Sequence, residues 1–231
     1  MNYKELKQIC YEANMMLPKL GLVIFTFGNA SAADRNMGVF AIKPSGVPYT
    51  DLIWQDIVVL DYDNNIIEGN KRPSSDTKTH ALLYKSWNDA GGIVHTHSTY
   101  ATAWAQAGRD IPNYGTTHAD HLVQNIPCAP PLSDTAIHGD YETETGHQII
   151  NHFENNKLNY KEVNMVLLAH HAPFAWGTDV HKAVYNSAIL EEIAKMAWLT
   201  EQINPNANVL PEALMQKHYE RKHGSNAYYG Q

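Results

Sequence analysis

No segment constrains this chain more than Gly91-Gly92-Ile93-Val94-His95-Thr96-His97. Small and β-branched residues lead into a His-x-His pair, the pattern of a strand carrying two imidazoles at its end. Side chains at i and i+2 of a strand share a face. His95 and His97 are therefore expected to project together from a sheet. Two imidazoles held side by side make half of a transition-metal site. Read alone, they could equally be solvated strand-end histidines, so the rest of the chain has to supply further ligands.

The surrounding pattern alternates helices and strands. Residues 5–17 read as a helix, with Leu6, Ile9, Cys10, Ala13, Met16 and Leu17 on one stripe. A short β stretch is expected over Leu22–Phe27, punctuated by Gly21 and Gly28, and strands over Val39–Ile42 and Ile57–Leu60. Asp63-Asn64-Asn65 reads as a hairpin turn into Ile66–Ile67. Pro73-Ser74-Ser75-Asp76 opens a helix carrying Leu83, Tyr84 and Trp87, since Ser and Asp are favoured caps. A helix is expected over Tyr100–Ala107, a buried strand over Val163–Ala169, and the clearest helix over Val180–Gln202. No repeat or linker divides the 231 residues, which suit one α/β domain over 1–231 with a central, largely antiparallel sheet flanked by helices.

Composition excludes several functions. The net charge of −7 argues against nucleic-acid and anionic-membrane binding, both of which call for a basic surface. No apolar run approaches a membrane span, and the first residues lack a signal-peptide core. Two cysteines, Cys10 and Cys128, fit a reducing cytoplasm and build neither a disulfide framework nor a thiolate zinc site.

Further metal candidates are Asp76 and one of His170 and His171. These two adjacent residues follow a strand and must face opposite ways, and the residues alone leave the choice open. Asp76 could be a ligand, a helix cap or both. Anion candidates fall in three turns: Gly28-Asn29; Lys43-Pro44-Ser45-Gly46, a cation, a hydroxyl and a permissive glycine; and Ser74-Ser75 at a helix start, where free N–H groups and the dipole attract anions. Asp120 reads alone as a cap or surface carboxylate. The aromatic terminus Ala227-Tyr228-Tyr229-Gly230-Gln231 suggests docking against another surface, such as a neighbouring subunit.

Together these segments, with Pro173-Phe174-Ala175-Trp176-Gly177, resemble the class II aldolase/epimerase superfamily, and within it the L-ribulose-5-phosphate 4-epimerases, nearly end to end. The resemblance implies the class II aldolase/adducin-head fold and one zinc ion per subunit held by Asp76, His95, His97 and His171. It places Gly28, Asn29, Ser45, Gly46, Ser74 and Ser75 on the substrate and phosphate, with Lys43 beside them. It gives Asp120 and Tyr229 the acid/base roles and implies a cytoplasmic homotetramer with sites between subunits. Ala172 departs from the glycine that usually follows the last histidine. The implied reaction converts L-ribulose 5-phosphate to D-xylulose 5-phosphate, in L-arabinose catabolism or another pentose route. Its C4–H is not α to the C2 carbonyl, so inversion is expected through C3–C4 cleavage and recombination, with zinc as Lewis acid. The alternatives are a fragment-releasing sugar-phosphate aldolase, which carries glutamate where Asp76 stands, and a non-catalytic adducin-head-like interaction module, against which the full ligand set argues.

Overall fold

The computed structural model describes residues 1–225 and 227–229; Asn226, Gly230 and Gln231, the last two part of the aromatic terminus, lie outside the described residues. The strands are β1 (Asn29–Asp34), β2 (Val39–Ile42), β3 (Val58–Asp61), β4 (Ile66–Glu68), β5 (Gly92–His95), β6 (Cys128–Ala129), β7 (Met165–Leu168) and β8 (Pro173–Gly177). They form one sheet in the order β4-β3-β2-β1-β5-β8-β7-β6. Every pairing is antiparallel except β6 with β7. The helices are α1 (Tyr3–Lys19), α2 (Thr77–Ser86), α3 (Thr99–Gln106), α4 (Thr116–Ala119), α5 (Asp134–His138), α6 (Tyr141–Asn155), α7 (Val180–Ile203) and α8 (Glu212–His223). The expected fold class is the observed one.

Both faces of the sheet are covered. In β2, Val39 and Ala41 pack into one core with Leu6, Cys10, Ala13 and Leu17 of α1. Phe40 and Ile42 pack into the other core with Ala81, Leu83 and Tyr84 of α2 and Ile149 and Phe153 of α6. Two-sided burial is why this strand reads as an unbroken apolar run instead of an alternating one. Helix α7 serves both cores, with Val180, Ala183 and Val184 in the first and Leu190, Ile193 and Ala197 in the second.

Three local expectations need correction. Leu22–Phe27 is not a strand; Phe25 takes a left-handed φ of 53°, the Phe27 N–H turns back to the Ile24 carbonyl, and Ile24, Phe25 and Phe27 are exposed. The strand there is β1, whose small residues Asn-Ala-Ser-Ala-Ala-Asp give no β signal. On α1, Met16 is exposed and Asn14 is buried in its place. The Asn14 side chain donates to the Ala30 carbonyl at 2.8 Å and accepts the Ala30 N–H at 2.9 Å, pinning α1 to the strand that carries Asn29. Finally, the His-x-His strand ends at His95, and His97 lies two residues beyond its last paired position.

Candidate active site

Strand pairing sets the first imidazole. His95 lies opposite Asn29 on β1 and opposite Phe174 on β8. Directly opposed residues project to one face, so Asn29, His95 and Phe174 form a row. His95 stacks on Phe174 with centroids 4.2 Å apart. Its Nδ1 lies 3.0 Å from the Pro173 carbonyl, an acceptor only, so Nδ1 carries the proton and Nε2 keeps a free lone pair.

His97 and His171 complete a near-equilateral triangle. Ring centroids are 5.0 Å apart for His95–His97, 4.9 Å for His95–His171 and 5.3 Å for His97–His171. One ligand atom from each lies within 4.8 Å of the others. Zinc bonds of 2.0–2.1 Å bring tetrahedral nitrogens about 3.3 Å apart, so a small inward rotation of the rings fits the ion. Burial, together with the neighbouring His97 ring, pushes His95 down to about 3. Burial and the two neighbouring rings push His171 down to about 3, and burial lowers His97 as well. All three are therefore neutral at neutral pH, the form that ligates a metal.

The turn between β7 and β8 separates the two adjacent histidines. His170 holds the left-handed position at φ 63°, and the His171 N–H closes the turn on the Leu168 carbonyl at 2.9 Å. His171 joins the cluster and His170 does not. Ala172 is buried and keeps an ordinary φ, so the turn does not require glycine there.

Asp76 lines the same cavity but stands outside the three-imidazole cluster. It occupies the cap position of α2, yet its side chain makes no capping bond. Instead its Oδ2 accepts from Asn29 Nδ2 at 2.6 Å. The cap alternative for Asp76 therefore falls.

The cavity, of about 600 Å³, also brings together Gly28, Asn29, Lys43, Ser45, Gly46, Ser74 and Ser75. Two backbone bonds, Ser45 N–H to the Arg72 carbonyl and Ser74 N–H to the Lys43 carbonyl, clamp two of the three turns together. Gly28 has φ 70°, and a Cβ there would lie 2.8 Å from the His95 carbonyl oxygen, so the first turn can approach the imidazoles only as glycine. Lys43 is buried, with its Nζ 4.8 Å from the Tyr49 ring centroid, and it makes no ion pair among the described residues. Burial pushes it down to about 8. A buried cation without a counter-ion facing a cavity calls for an anion from outside.

Asp120 and Tyr229 are not among the described residues lining this cavity. They meet each other through Arg221. Its guanidinium donates from Nε and Nη2 to the two Asp120 oxygens at 3.1 and 2.9 Å, and its other side lies 4.1 Å from the Tyr229 ring centroid. His218 adds a 2.9 Å contact to Asp120. Burial raises the Asp120 pKa, but Arg221 and His218 outweigh it and hold the carboxyl below its usual range. This α4–α8 cluster spans about a hundred residues of sequence, and nothing in the local pattern around His218 and Arg221 announces it. Tyr141 and Glu142, at the start of α6, carry no local signal either; both line the cavity, with Tyr141 Oη 3.5 Å from His171 Nδ1.

Comparison with known proteins agrees with this geometry. The family described as "Class II Aldolase and Adducin N-terminal domain" matches residues 8–198. The chain is 51% identical over 228 residues, 99% of either protein, to "L-ribulose-5-phosphate 4-epimerase UlaF" of Salmonella paratyphi C (strain RKS4594). It is 50% identical over the same extent to the protein of that name from Salmonella paratyphi A (strain ATCC 9150 / SARB42). Among solved structures, an L-fuculose 1-phosphate aldolase superposes with a TM-score of 0.78 at 26% identity, covering 96% of this chain and 97% of the other. YgbL from Klebsiella pneumoniae gives 0.73 at 22%, covering 94% and 99%, a likeness of fold. With its single sheet, its three-imidazole cluster and a family match over most of its length, the chain belongs to the class II aldolase and adducin N-terminal domain family.

Proposed function

We propose that this protein is a zinc-dependent L-ribulose-5-phosphate 4-epimerase, an isomerase, and that residues 1–231 act as a single domain. The observation that carries the reading is one cavity holding three neutral imidazoles beside a buried lysine that makes no ion pair among the described residues. A metal site and a phosphate cradle within one cavity suit a phosphorylated ketose. The half-identity to curated epimerases across 99% of either chain supports this choice over a fragment-releasing aldolase.

Zinc held by His95, His97 and His171, with Asp76 as fourth ligand, would supply Lewis-acid stabilisation for the charge on the C2 and C3 oxygens during C3–C4 cleavage. Asp76 has to exchange its Asn29 contact to do so. Lys43, with Asn29, Ser45, Gly46, Ser74 and Ser75, binds the phosphate, so the aldehyde fragment can turn over without leaving. Asp120, kept ionised by Arg221, accepts the C4 hydroxyl proton, and the Tyr229 phenol returns one to the re-formed C4 oxygen from the opposite face. Because Asp120 and Tyr229 share Arg221 on one chain and lie outside that chain's own imidazole cavity, the working site joins the cavity of one subunit to the Asp120–Arg221–Tyr229 cluster of a neighbour. The assembly is a homotetramer, in the cytoplasm, acting in L-arabinose catabolism or another pentose route. No helix among the described residues is long and apolar enough to cross a membrane.

The test is turnover of L-ribulose 5-phosphate to D-xylulose 5-phosphate, lost on chelation and restored by zinc. Conversion that survives complete metal removal contradicts the reading.

A further inference from the structure

To ligate a metal through Nε2, a neutral imidazole must keep its one hydrogen on Nδ1. For His95 the Pro173 carbonyl, which can only accept, enforces that choice. For His171 the group beside Nδ1 is the Tyr141 phenol, with Oη at 3.5 Å. A phenol can donate or accept, so the tautomer of His171 depends on where the single phenol hydrogen goes.

Thr145 directs that hydrogen. It is buried one helical turn beyond Tyr141 on α6, and it hydrogen-bonds the phenol. Its own hydroxyl hydrogen is given to the Tyr141 carbonyl, with an O···O distance of 2.8 Å. Toward the phenol, Thr145 Oγ1 can therefore only accept. The phenol hydrogen goes to Thr145, and only lone pairs are left for His171. His171 Nδ1 must then supply the hydrogen of their contact, which leaves the lone pair on Nε2.

Tyr141 is held in place from outside the site. It is the first residue of α6, and that end is tied to α2. Thr79 Oγ1 donates to the Glu142 carbonyl at 2.6 Å, and Lys78 Nζ donates to Asp140 Oδ2 at 2.7 Å. The Tyr141 and His171 ring centroids are 6.1 Å apart, and among the described residues Tyr141 makes no ring contact with His95 or His97. It therefore stands beside His171, outside the triangle of imidazoles.

Given the metal site proposed above, and independently of its substrate, we infer that Tyr141 is a positioning residue for that site. It accepts the His171 Nδ1–H and holds the ring in the tautomer that turns the Nε2 lone pair toward the metal. Thr145 acts through Tyr141.

The test is ¹⁵N NMR of histidine-labelled, metal-free protein, together with zinc affinity measured by chelator competition. The His171 signals are those missing from His171→Asn. In wild type, His171 should carry its hydrogen on Nδ1. Tyr141→Phe keeps the ring and removes the acceptor. His171 should then shift toward the Nε2–H form that free imidazole side chains favour. Zinc affinity should fall roughly 10-fold, the low end for such outer partners because the contact is long. Thr145→Val leaves Tyr141 in place but frees the phenol hydrogen for Nδ1, so it should shift the tautomer in the same direction. A merely structural role for these residues would lower Tm without moving the tautomer. Wild-type His171 protonated on Nε2 overturns the assignment, and so does a Tyr141→Phe protein with wild-type tautomer or wild-type zinc affinity. Should Tyr141→Phe misfold, Thr145→Val decides: a shifted tautomer supports the assignment and an unchanged one overturns it. Neither readout involves turnover, so absence of epimerase activity is a separate result.

Discussion

Lys43→Met separates the energetic cost of the phosphate cradle from its use. The lysine is buried without an ion pair among the described residues, and burial moves its pKa from 10.5 to about 8. At about 1.4 kcal/mol per pH unit, that shift is a penalty of roughly 3 kcal/mol on the charged folded form. The cavity opens to water, and screening reduces the figure to about 1–2 kcal/mol. The sign follows from linkage. The folded state binds this proton less tightly than the unfolded chain, so the penalty is present in full below about pH 8 and fades as pH rises toward 10.5. Methionine keeps most of the length and removes the charge. The variant is therefore expected to be more stable than wild type by about 1–2 kcal/mol at pH 7 in urea denaturation, with the gain shrinking toward pH 10. Its binding of phosphorylated substrate should weaken by roughly one to two orders of magnitude, the worth of a charge-assisted contact, and KM should carry most of the change. Loss of stability at pH 7, or an unchanged KM, would refute the picture of a strained cation waiting for an anion.

The remaining predictions follow from the other clusters. Asp76→Asn should change stability by less than the ~1 kcal/mol of a lost cap, because no capping bond exists, while zinc affinity measured by chelator competition drops; unchanged affinity removes Asp76 from the ligand set. Tyr229→Phe should cut turnover roughly 10²–10⁴-fold with metal content unchanged, and full activity would end its acid/base role. Mixed tetramers of His97→Ala and Asp120→Asn chains should regain activity, whereas mixtures of Asp120→Asn with Tyr229→Phe should not, since Arg221 holds both groups on one chain; the reverse pattern would break the shared-site geometry. His80, His95 and His171 are depressed to about 3. The unfolded chain takes up their protons first, so the metal-free protein should lose stability as pH falls below about 6.5, by about 1.4 kcal/mol per pH unit for each proton. Scanning calorimetry showing a flat Tm between pH 7 and pH 5 would contradict those shifts.

Parts of this protein could be read from its residues because they rest on local periodicity. The His95–His97 pairing is a consequence of the two-residue repeat, and it survives although the strand stops at His95. The α7 boundary at Val180 is announced by the change from β8 to a long helical pattern. Strand β1 was illegible because its side chains are small: it is buried by its neighbours, not by its own apolarity. Leu22–Phe27 is the opposite case: Leu22 and Val23 are buried, but the apolar Ile24, Phe25 and Phe27 sit in a turn and stay exposed. The choice of His171 over His170 depends on which residue takes the left-handed position of the β7–β8 turn, and two adjacent histidines do not reveal that. The Arg221 bridge joins residues far apart in sequence, and such a contact exists only once α8 has docked beside α4.

The central claim is inversion at C4 by carbon–carbon cleavage, carried out in a cavity that keeps its phosphorylated fragment. The measurement that tests it most directly is NMR of the zinc-loaded protein with L-ribulose 5-phosphate in D₂O. The account predicts D-xylulose 5-phosphate with no deuterium at C4 and no free dihydroxyacetone or glycolaldehyde phosphate, because the C4–H bond is never broken and the cradle holds the fragment. Deuterium at C4 would show inversion by deprotonation, and accumulating free fragments would show an aldolase; either result contradicts it.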